Sequence, residues 1–272
     1  SSLLLLSGLL VVSPAVAGLF GYMFTAPYYL LAQLLCLSAA WVCQRRPDAL
    51  GAGTGGFLLA LSLGIYQSYL PMGLCAMLLA FAQELCRDED DRTKVLLLRV
   101  ARYAGAAALG LLLYFLFNQL FLRLKGVALD GYMGISQMGQ EGLAAYIRRI
   151  PAAYHQFFFP GDGVWHVDLF PDNVRILYYL CQILTAALWL LMIWRLLRAY
   201  PGKGICMALV LLCYPLAANL IYVMCSAYEE MHLLMVCSMI VVFVPLPFLA
   251  EHAVLPKPGK KTVQRICAAV LA

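Results

Sequence analysis

LSLGIYQSYLPMG, residues 61–73, interrupts an apolar run that extends over residues 54–86. If that run crossed a membrane as one helix, it would measure about 50 Å at ~1.5 Å per residue, whereas the hydrocarbon core is about 30 Å thick. Two shorter helices fit better, one over residues 49–66 and one over residues 70–86. The YQSYLP segment is then the turn between them, and Pro71 lies at the start of the returning helix, where its missing N–H is tolerated.

The composition indicates a membrane protein. Of 272 residues, 64% are apolar and 12% charged, and the mean hydropathy is +0.84, so a polar surface cannot cover the chain in water. Because only helices or closed barrels satisfy their backbone in lipid, and the apolar runs are long and do not alternate, we expect an all-α, polytopic transmembrane bundle. The ten cysteines lie in or beside apolar segments without metal-binding spacing, which predicts packing roles and no metal site.

The distribution of basic residues predicts how the chain crosses the membrane. Cytoplasmic loops are rich in Lys and Arg, so an even number of crossings separates one basic cluster from the next. The clusters occupy residues 43–48, 86–102, 194–204 and 256–265. They predict eight crossings over residues 1–12, 26–42, 49–66, 70–86, 103–122, 176–194, 205–225 and 233–250. We expect residues 1–272 to form a single transmembrane domain, with residues 123–175 as a long outer loop. Because the chain begins and ends within apolar runs, we also expect it to be a fragment.

The predicted spans carry almost no charge. Glu84 and Arg195 fall at cytoplasmic ends, where we expect them to snorkel to the surface, and no ionisable residue falls near a bilayer midplane. This argues against an ion-coupled carrier. GAGTGG, residues 51–56, follows no strand, so small residues for helix packing explain it better than a phosphate loop. The cytoplasmic clusters account for the net charge of +5, and no nucleic-acid partner is expected.

The outer loop contains an amphipathic segment. In QEGLAAYIRRIPAAYHQFFF, apolar and aromatic residues recur at helical spacing, which predicts a helix in the membrane interface, bent at Pro151. Arg148 and Arg149 lie between the apolar residues. They have two interpretations: contact with lipid head-group phosphates, or binding of the phosphate of a lipid-linked substrate.

Two other outer segments carry polar residues. A set of carboxylates and a histidine in PGDGVWHVDLFPDN could hold a divalent ion or act as acid and base, but turn chemistry explains it better. Its members are Asp162, His166, Asp168 and Asp172. The last outer turn, residues 226–232, contains Glu229 and Glu230, which are equally consistent with a solvated turn or with a site.

Three motifs resemble a known family. SPAVAGLFGYMFTAPYYLLAQLL, LALSLGIYQSYLP and GYMGISQMG, in this order, resemble the bacterial Gtr type II membrane glucosyltransferases, which are multi-spanning GT-C glycosyltransferases; the likeness covers about residues 10–140. The resemblance implies transfer of glucose or a related sugar from a polyprenyl-phosphate carrier to a cell-envelope glycan such as an O-antigen, at the outer face of the bacterial cytoplasmic membrane. GT-C enzymes place their catalytic acidic residue in the first outer loop. We expect that loop to precede this chain, so no catalytic residue is assigned and the chain alone is predicted to be inactive.

The resemblance and the outer polar residues together suggest a substrate site. The predicted substrate-binding residues are Tyr66, Gln67, Tyr69, Arg148, Arg149 and His155. The aromatic and amide groups would line a sugar cavity and the two arginines would bind carrier phosphate. The expected partners are the polyprenyl-phosphate-linked sugar, membrane lipid and a cell-surface glycan acceptor, without a cofactor. A lipid-sugar flippase or transporter and a non-catalytic assembly subunit remain as alternatives.

Overall fold

A computed structural model of the chain describes residues 24–87, 90–127, 141–159, 172–224 and 240–252, with a few isolated positions elsewhere. Over these ranges the backbone forms α-helices, short 3₁₀ segments and no strand, which confirms the all-α prediction. The helices are α1 (Ala26–Arg45), α2 (Ala49–Ile65), α3 (Leu70–Arg87), α4 (Thr93–Lys125), α5 (Leu143–Phe158), α6 (Asp172–Ala199), α7 (Pro201–Ala218), α8 (Leu220–Met224) and α9 (Pro245–His252).

Five stretches within the described ranges are long and apolar enough to cross a membrane. They are Ala26–Arg45, Gln67–Arg87, Thr93–Lys125, Tyr178–Ala199 and Pro201–Ala218. Ala49–Ile65 and Ile240–His252 are shorter apolar helices. The chain is therefore a polytopic membrane protein. The first predicted crossing, residues 1–12, lies outside the described residues.

The turn predicted at YQSYLP is confirmed. Helix α2 ends at Ile65, a 3₁₀ turn covers Gln67–Tyr69, and α3 begins at Leu70 with Pro71 as its second residue. The start of α2 is capped, because the N–H of Gly51 donates to Asp48 Oδ1 at 2.8 Å. The apolar run is thus two helices separated by a tight turn.

Small residues let α2 pack closely against α1 and α4. A Cβ on Gly55 would lie 2.3 Å from Cys43 Sγ, and one on Gly56 would lie 2.9 Å from the carbonyl oxygen of Ala106. Ser62 Oγ, which is fully buried, donates to a carbonyl oxygen of α1 at 2.7 Å. The packing interpretation of GAGTGG is confirmed.

Contacts between helices define two ends of the bundle. At one end, the N–H of Lys203 donates to Asp91 Oδ1 at 2.9 Å, and Gln44 on α1 donates to Gln83 on α3 at 2.7 Å. We call this the basic end, formed by residues 41–47, 83–87, 90–102 and 192–204. Three of the four basic clusters therefore share one end, as the charge distribution predicted; the fourth lies outside the described residues.

The opposite end contains the turn between α2 and α3 and the helix α5. Cys75, near the start of α3, contacts the carbonyl oxygen of Tyr214, near the end of α7, at 3.9 Å. The ring of Phe157 on α5 lies 6.5 Å from the ring of Tyr214. We call this the tyrosine end, formed by residues 66–69, 114, 141–159, 178–182 and 214–224.

Candidate functional site

The turn at residues 66–69 builds a small aromatic cluster at the tyrosine end. The ring of Tyr66 is half-buried and lies 4.8 Å from the ring of Tyr29 and 5.5 Å from that of Tyr69. Tyr69 is only 1% exposed. Gln67 Nε2 donates to the hydroxyl of Tyr114 at 2.9 Å. Tyr66 and Gln67 are thus the accessible members of the predicted sugar-binding set. Tyr69 is buried and packs against the ring of Tyr66.

Arg149 ties helix α5 to α8 and to the residues that precede α5. Its Nη2 donates to Glu141 Oε1 at 2.6 Å and its Nη1 to the carbonyl oxygen of Val223 at 3.2 Å. The guanidinium also lies over the ring of Tyr146, 5.7 Å from its centroid. The charge of Arg149 is therefore balanced by a carboxylate, and its side chain holds α5 in place.

Arg148 has a different environment from its neighbour. Arg148 is exposed, and its Nε donates to the carbonyl oxygen of Ala144, one helical turn earlier, at 3.2 Å. His155 is also exposed, and its ring lies 5.3 Å from the ring of Phe159. Of the two arginines predicted to contact phosphate, Arg148 is the accessible one.

Buried amide groups lie where α5 packs against α7 and α8. Asn219 is fully buried, and its Nδ2 donates to the carbonyl oxygen of Ala153 at 3.0 Å. The side-chain oxygens of Asn219 and Gln156 have no hydrogen-bond partner in the described part of the chain. Both oxygens are acceptors that a hydroxyl group could satisfy. Tyr114, Gln156 and Asn219 were not predicted as site residues. For Gln156 and Asn219, the sequence signal was an amide side chain among apolar residues.

Several predicted polar residues lie outside the described residues. They are Asp162, His166, Asp168, Glu229 and Glu230. Asp172 begins α6, but its side chain is not described. Among the residues whose structure is described, no group of three or more His, Cys, Asp or Glu is arranged to hold a metal ion.

The basic end contains a charged layer that the sequence did not predict. Arg102 Nη2 lies 2.5 Å from both carboxylate oxygens of Glu84, and the hydroxyl of Tyr103 donates to Glu84 Oε1 at 2.7 Å. Arg99 Nε lies 3.8 Å from the same carboxylate. Glu84 does not reach to the surface as the snorkelling prediction had it, because arginines on α4 bind its carboxylate and compensate its charge.

An apolar cavity of about 380 Å³ separates α3, α4 and α7. Among the residues that line it are Leu74, Met77, Phe81, Ala107, Val210 and Ala217. The wall offers almost only carbon atoms, which suits a hydrocarbon chain and excludes a charged ligand.

Comparison with curated proteins and with solved structures finds no match. Comparison with protein families does: the family described as glucosyl transferase GtrII matches residues 2–246, a range that includes α1 to α8 and the turn at residues 66–69. The match extends the resemblance of the three sequence motifs over nine-tenths of the chain. The chain belongs to the glucosyl transferase GtrII family.

Proposed function

We propose that this protein transfers glucose or a related sugar from a polyprenyl-phosphate carrier to a cell-envelope glycan, at the outer face of the bacterial cytoplasmic membrane. Family membership implies glycosyltransferase activity. The observation that supports the lipid-linked donor is Arg148, an exposed arginine on an amphipathic helix, at the same end of the bundle as Tyr66 and Gln67. We place the tyrosine end outside, because the basic end is richer in arginine and belongs inside.

The exposed residues of α5 support a position in the membrane interface. Leu143 and Ile147 are 74% and 54% exposed, and the charged Arg148 follows them on the same helix. Such a combination of uncovered apolar and basic residues is typical of helices that lie between head groups and acyl chains. At that depth α5 meets the phosphate of a carrier whose tail remains in the bilayer.

Arg148 would act on the phosphate. When the bond from the sugar to the carrier phosphate breaks, negative charge grows on the departing phosphate, and a guanidinium that donates to its oxygens stabilises that charge. Arg149 would act indirectly, because its Nη1 and Nη2 groups already donate to the carbonyl oxygen of Val223 and to Glu141. The two arginines therefore have separable roles, one in binding phosphate and one in positioning α5.

The turn at residues 66–69 would contact the sugar. Amide and phenol groups form hydrogen bonds with sugar hydroxyls, and an aromatic face packs against the apolar face of a sugar ring. Gln67 donates to Tyr114 through its nitrogen, which leaves its carbonyl oxygen to accept from a hydroxyl group. In the same proposal the prenyl chain occupies the apolar cavity between α3, α4 and α7.

The decisive experiment measures sugar transfer in membrane vesicles that contain the complete protein. Polyprenyl phosphate carrying radiolabelled glucose is supplied with the acceptor glycan, and labelled glycan is counted. Arg148→Ala should lower the transfer rate on the order of ten- to a hundredfold, the effect of losing one charge-assisted hydrogen bond. Arg123→Ala is the matched control, since Arg123 is exposed in the last turn of α4 and belongs to no described site.

The outcomes separate this function from its rivals. Normal transfer by Arg148→Ala, at parental membrane levels, contradicts the phosphate-binding role of Arg148. Movement of the lipid-linked sugar across the vesicle membrane without labelled glycan indicates a flippase. Absence of both activities, with transfer restored by a second protein from the same membrane, indicates an assembly subunit.

A further inference from the structure

A cavity of about 540 Å³ lies at the basic end, between the last turns of α1 and α3 and the first turns of α4. Its charged wall consists of four arginines and one carboxylate: Arg45, Arg87, Arg99, Arg102 and Glu84. The remaining wall residues are Trp41, Gln44, Pro47 and Gln83. The volume falls within the range of about 300–1,000 Å³ that is usual for ligand sites.

The charges in this cavity do not cancel. Among the described residues, Glu84 is the single carboxylate in the wall, and it is shared between Arg102, at 2.5 Å, and Arg99, at 3.8 Å. Arg45 and Arg87, both exposed, stand at the rim. The described wall therefore carries a surplus of positive charge, with four arginines against one carboxylate, which favours an anionic occupant.

Arg102 supplies an incomplete set of hydrogen bonds. Its side chain is 8% exposed, and its Nη2 bonds both oxygens of Glu84. Its Nε is buried without a hydrogen-bond partner in the described residues. Burying an unsatisfied donor of a charged group is costly, so a second acceptor beside the guanidinium would be stabilising.

The neutral part of the wall is held in place by hydrogen bonds. Gln44 Nε2 donates to Gln83 Oε1 at 2.7 Å and to the carbonyl oxygen of Ala80 at 3.2 Å. These bonds join the end of α1 to α3 and hold this part of the wall in place, which lowers the ordering cost of binding.

We propose that this cavity binds a phosphate group, carried either by a lipid head group or by a soluble phosphate compound. Planar guanidinium groups match the oxygens of phosphate, and basic pockets between membrane helices are suited to anionic head groups. Trp41 is 58% exposed beside Arg45, with the guanidinium 5.9 Å from the ring centroid, as in an interfacial anchor. This site is at the opposite end from Arg148 and does not depend on the proposed transfer reaction.

The test uses the purified complete protein in two arms. In the first arm, nanodiscs of phosphatidylcholine are compared with nanodiscs that also contain phosphatidylglycerol, and native mass spectrometry measures the lipid retained after release. In the second arm, delipidated protein in neutral detergent is titrated with inorganic phosphate, against sodium chloride at equal ionic strength, while the thermal unfolding midpoint is measured. Arg87→Gln/Arg99→Gln should weaken phosphate binding about tenfold or more in the responding arm.

Arg92→Gln is the matched control, because Arg92 is a 79% exposed arginine at the same end but outside the cavity wall. Retention of phosphatidylglycerol alone identifies a lipid head group, and a shift with inorganic phosphate identifies a soluble compound; either supports the site. If the double variant does not fold, Arg87→Gln, which changes an exposed side chain, should still weaken binding several-fold. The proposal is overturned if neither ligand binds the parent, or if the variants bind as the parent does.

Discussion

Both ends of the bundle contain arginines, but the partners of these arginines differ between the two ends. At the basic end, Arg102 and Arg99 share the carboxylate of Glu84 inside the packing of α3 and α4. At the tyrosine end, Arg149 pairs with Glu141 beside α5, and Arg148 is exposed without a described carboxylate. The most deeply buried ion pair therefore lies at the basic end, whereas the tyrosine end combines one ion pair with phenols and amides.

This difference follows from the cost of polar groups within a membrane. A buried charge is tolerated only with a fixed partner of opposite charge, and such a pair holds helices together but cannot easily change partners. Neutral groups such as Gln67 and Asn219 are cheaper to bury and can exchange a protein partner for a ligand hydroxyl. In our proposal the neutral groups of the tyrosine end contact the sugar and Arg148 binds the phosphate, whereas the ion pairs of the basic end join helices.

The largest expected effect comes from breaking the charged layer of the basic end. Glu84→Ala removes the carboxylate from Arg102, whose side chain is 8% exposed, and leaves a buried positive charge without compensation. We expect a loss of about 3–5 kcal/mol in the free energy of unfolding. The measurement is thermal or denaturant unfolding of the purified protein in detergent.

The control for this variant removes both charges. Glu84→Gln/Arg102→Gln removes the closer ion pair and leaves only Arg99, 3.8 Å from the former carboxylate, uncompensated, so it should recover part of the lost stability. If Glu84→Ala alone is as stable as the parent, the ion pair does not hold α3 and α4 together.

A smaller effect is expected from the arginine that anchors α5. Arg149→Ala removes the ion pair to Glu141 and the hydrogen bond to Val223. It should lower the free energy of unfolding by about 1.5–3 kcal/mol and should also lower the rate of sugar transfer. Arg148→Ala should lower transfer without lowering stability. Measuring the unfolding midpoint beside the transfer rate for both variants tests the separation; equal stability losses in the two variants would contradict it.

Helix lengths and charge distribution were sufficient to predict an all-α membrane bundle and its turn near Tyr66. The limit on the length of a span required a turn near Tyr66, and the structure has a 3₁₀ turn at Gln67–Tyr69. The positive-inside rule required the basic clusters to lie at the same end of the bundle, and three of the four do. These inferences succeed because they depend on bilayer thickness and on the distribution of Lys and Arg, which act on whole segments and not on individual contacts.

The site was less predictable, because side-chain partners come from distant parts of the chain. Glu84 and Arg102 belong to different helices, and their pairing depends on the relative rotation of α3 and α4. Gln67 meets Tyr114 across a sequence separation of 47 residues. The hydropathy pattern places such residues at the correct end but cannot determine which of them touch, so Arg148 and Arg149 looked equivalent in the sequence.

The hydrogen bond between Gln67 and Tyr114 allows a finer test of the tyrosine end. Tyr114→Phe removes the acceptor of a half-buried bond and should cost about 0.5–1.5 kcal/mol of stability. Gln67→Ala removes the group proposed to contact the sugar, so its transfer rate should fall more than that of Tyr114→Phe. Transfer rates and unfolding midpoints are compared for the two variants; a larger transfer loss in Tyr114→Phe would assign the sugar contact to the tyrosine.

The smallest effect is expected at the exposed ion pair of the basic end. Hydrogen bonds from Arg92 lower the pKa of Asp90 to about 2, so the carboxylate stays ionised from neutral pH down to strongly acidic conditions. A lowered pKa in the folded state contributes stability above the ordinary pKa of the carboxyl group, and this contribution is lost only as the pH falls towards 2. Arg92 is 79% exposed, so water screens the pair and Asp90→Asn should leave the unfolding midpoint unchanged between pH 6 and 8. Asp90 and Glu84 each contact an arginine at the same end of the bundle, but only the pair of Glu84 is buried. If Asp90→Asn shifted the unfolding midpoint as much as Glu84→Ala does, burial would not explain the difference in stability between the two pairs.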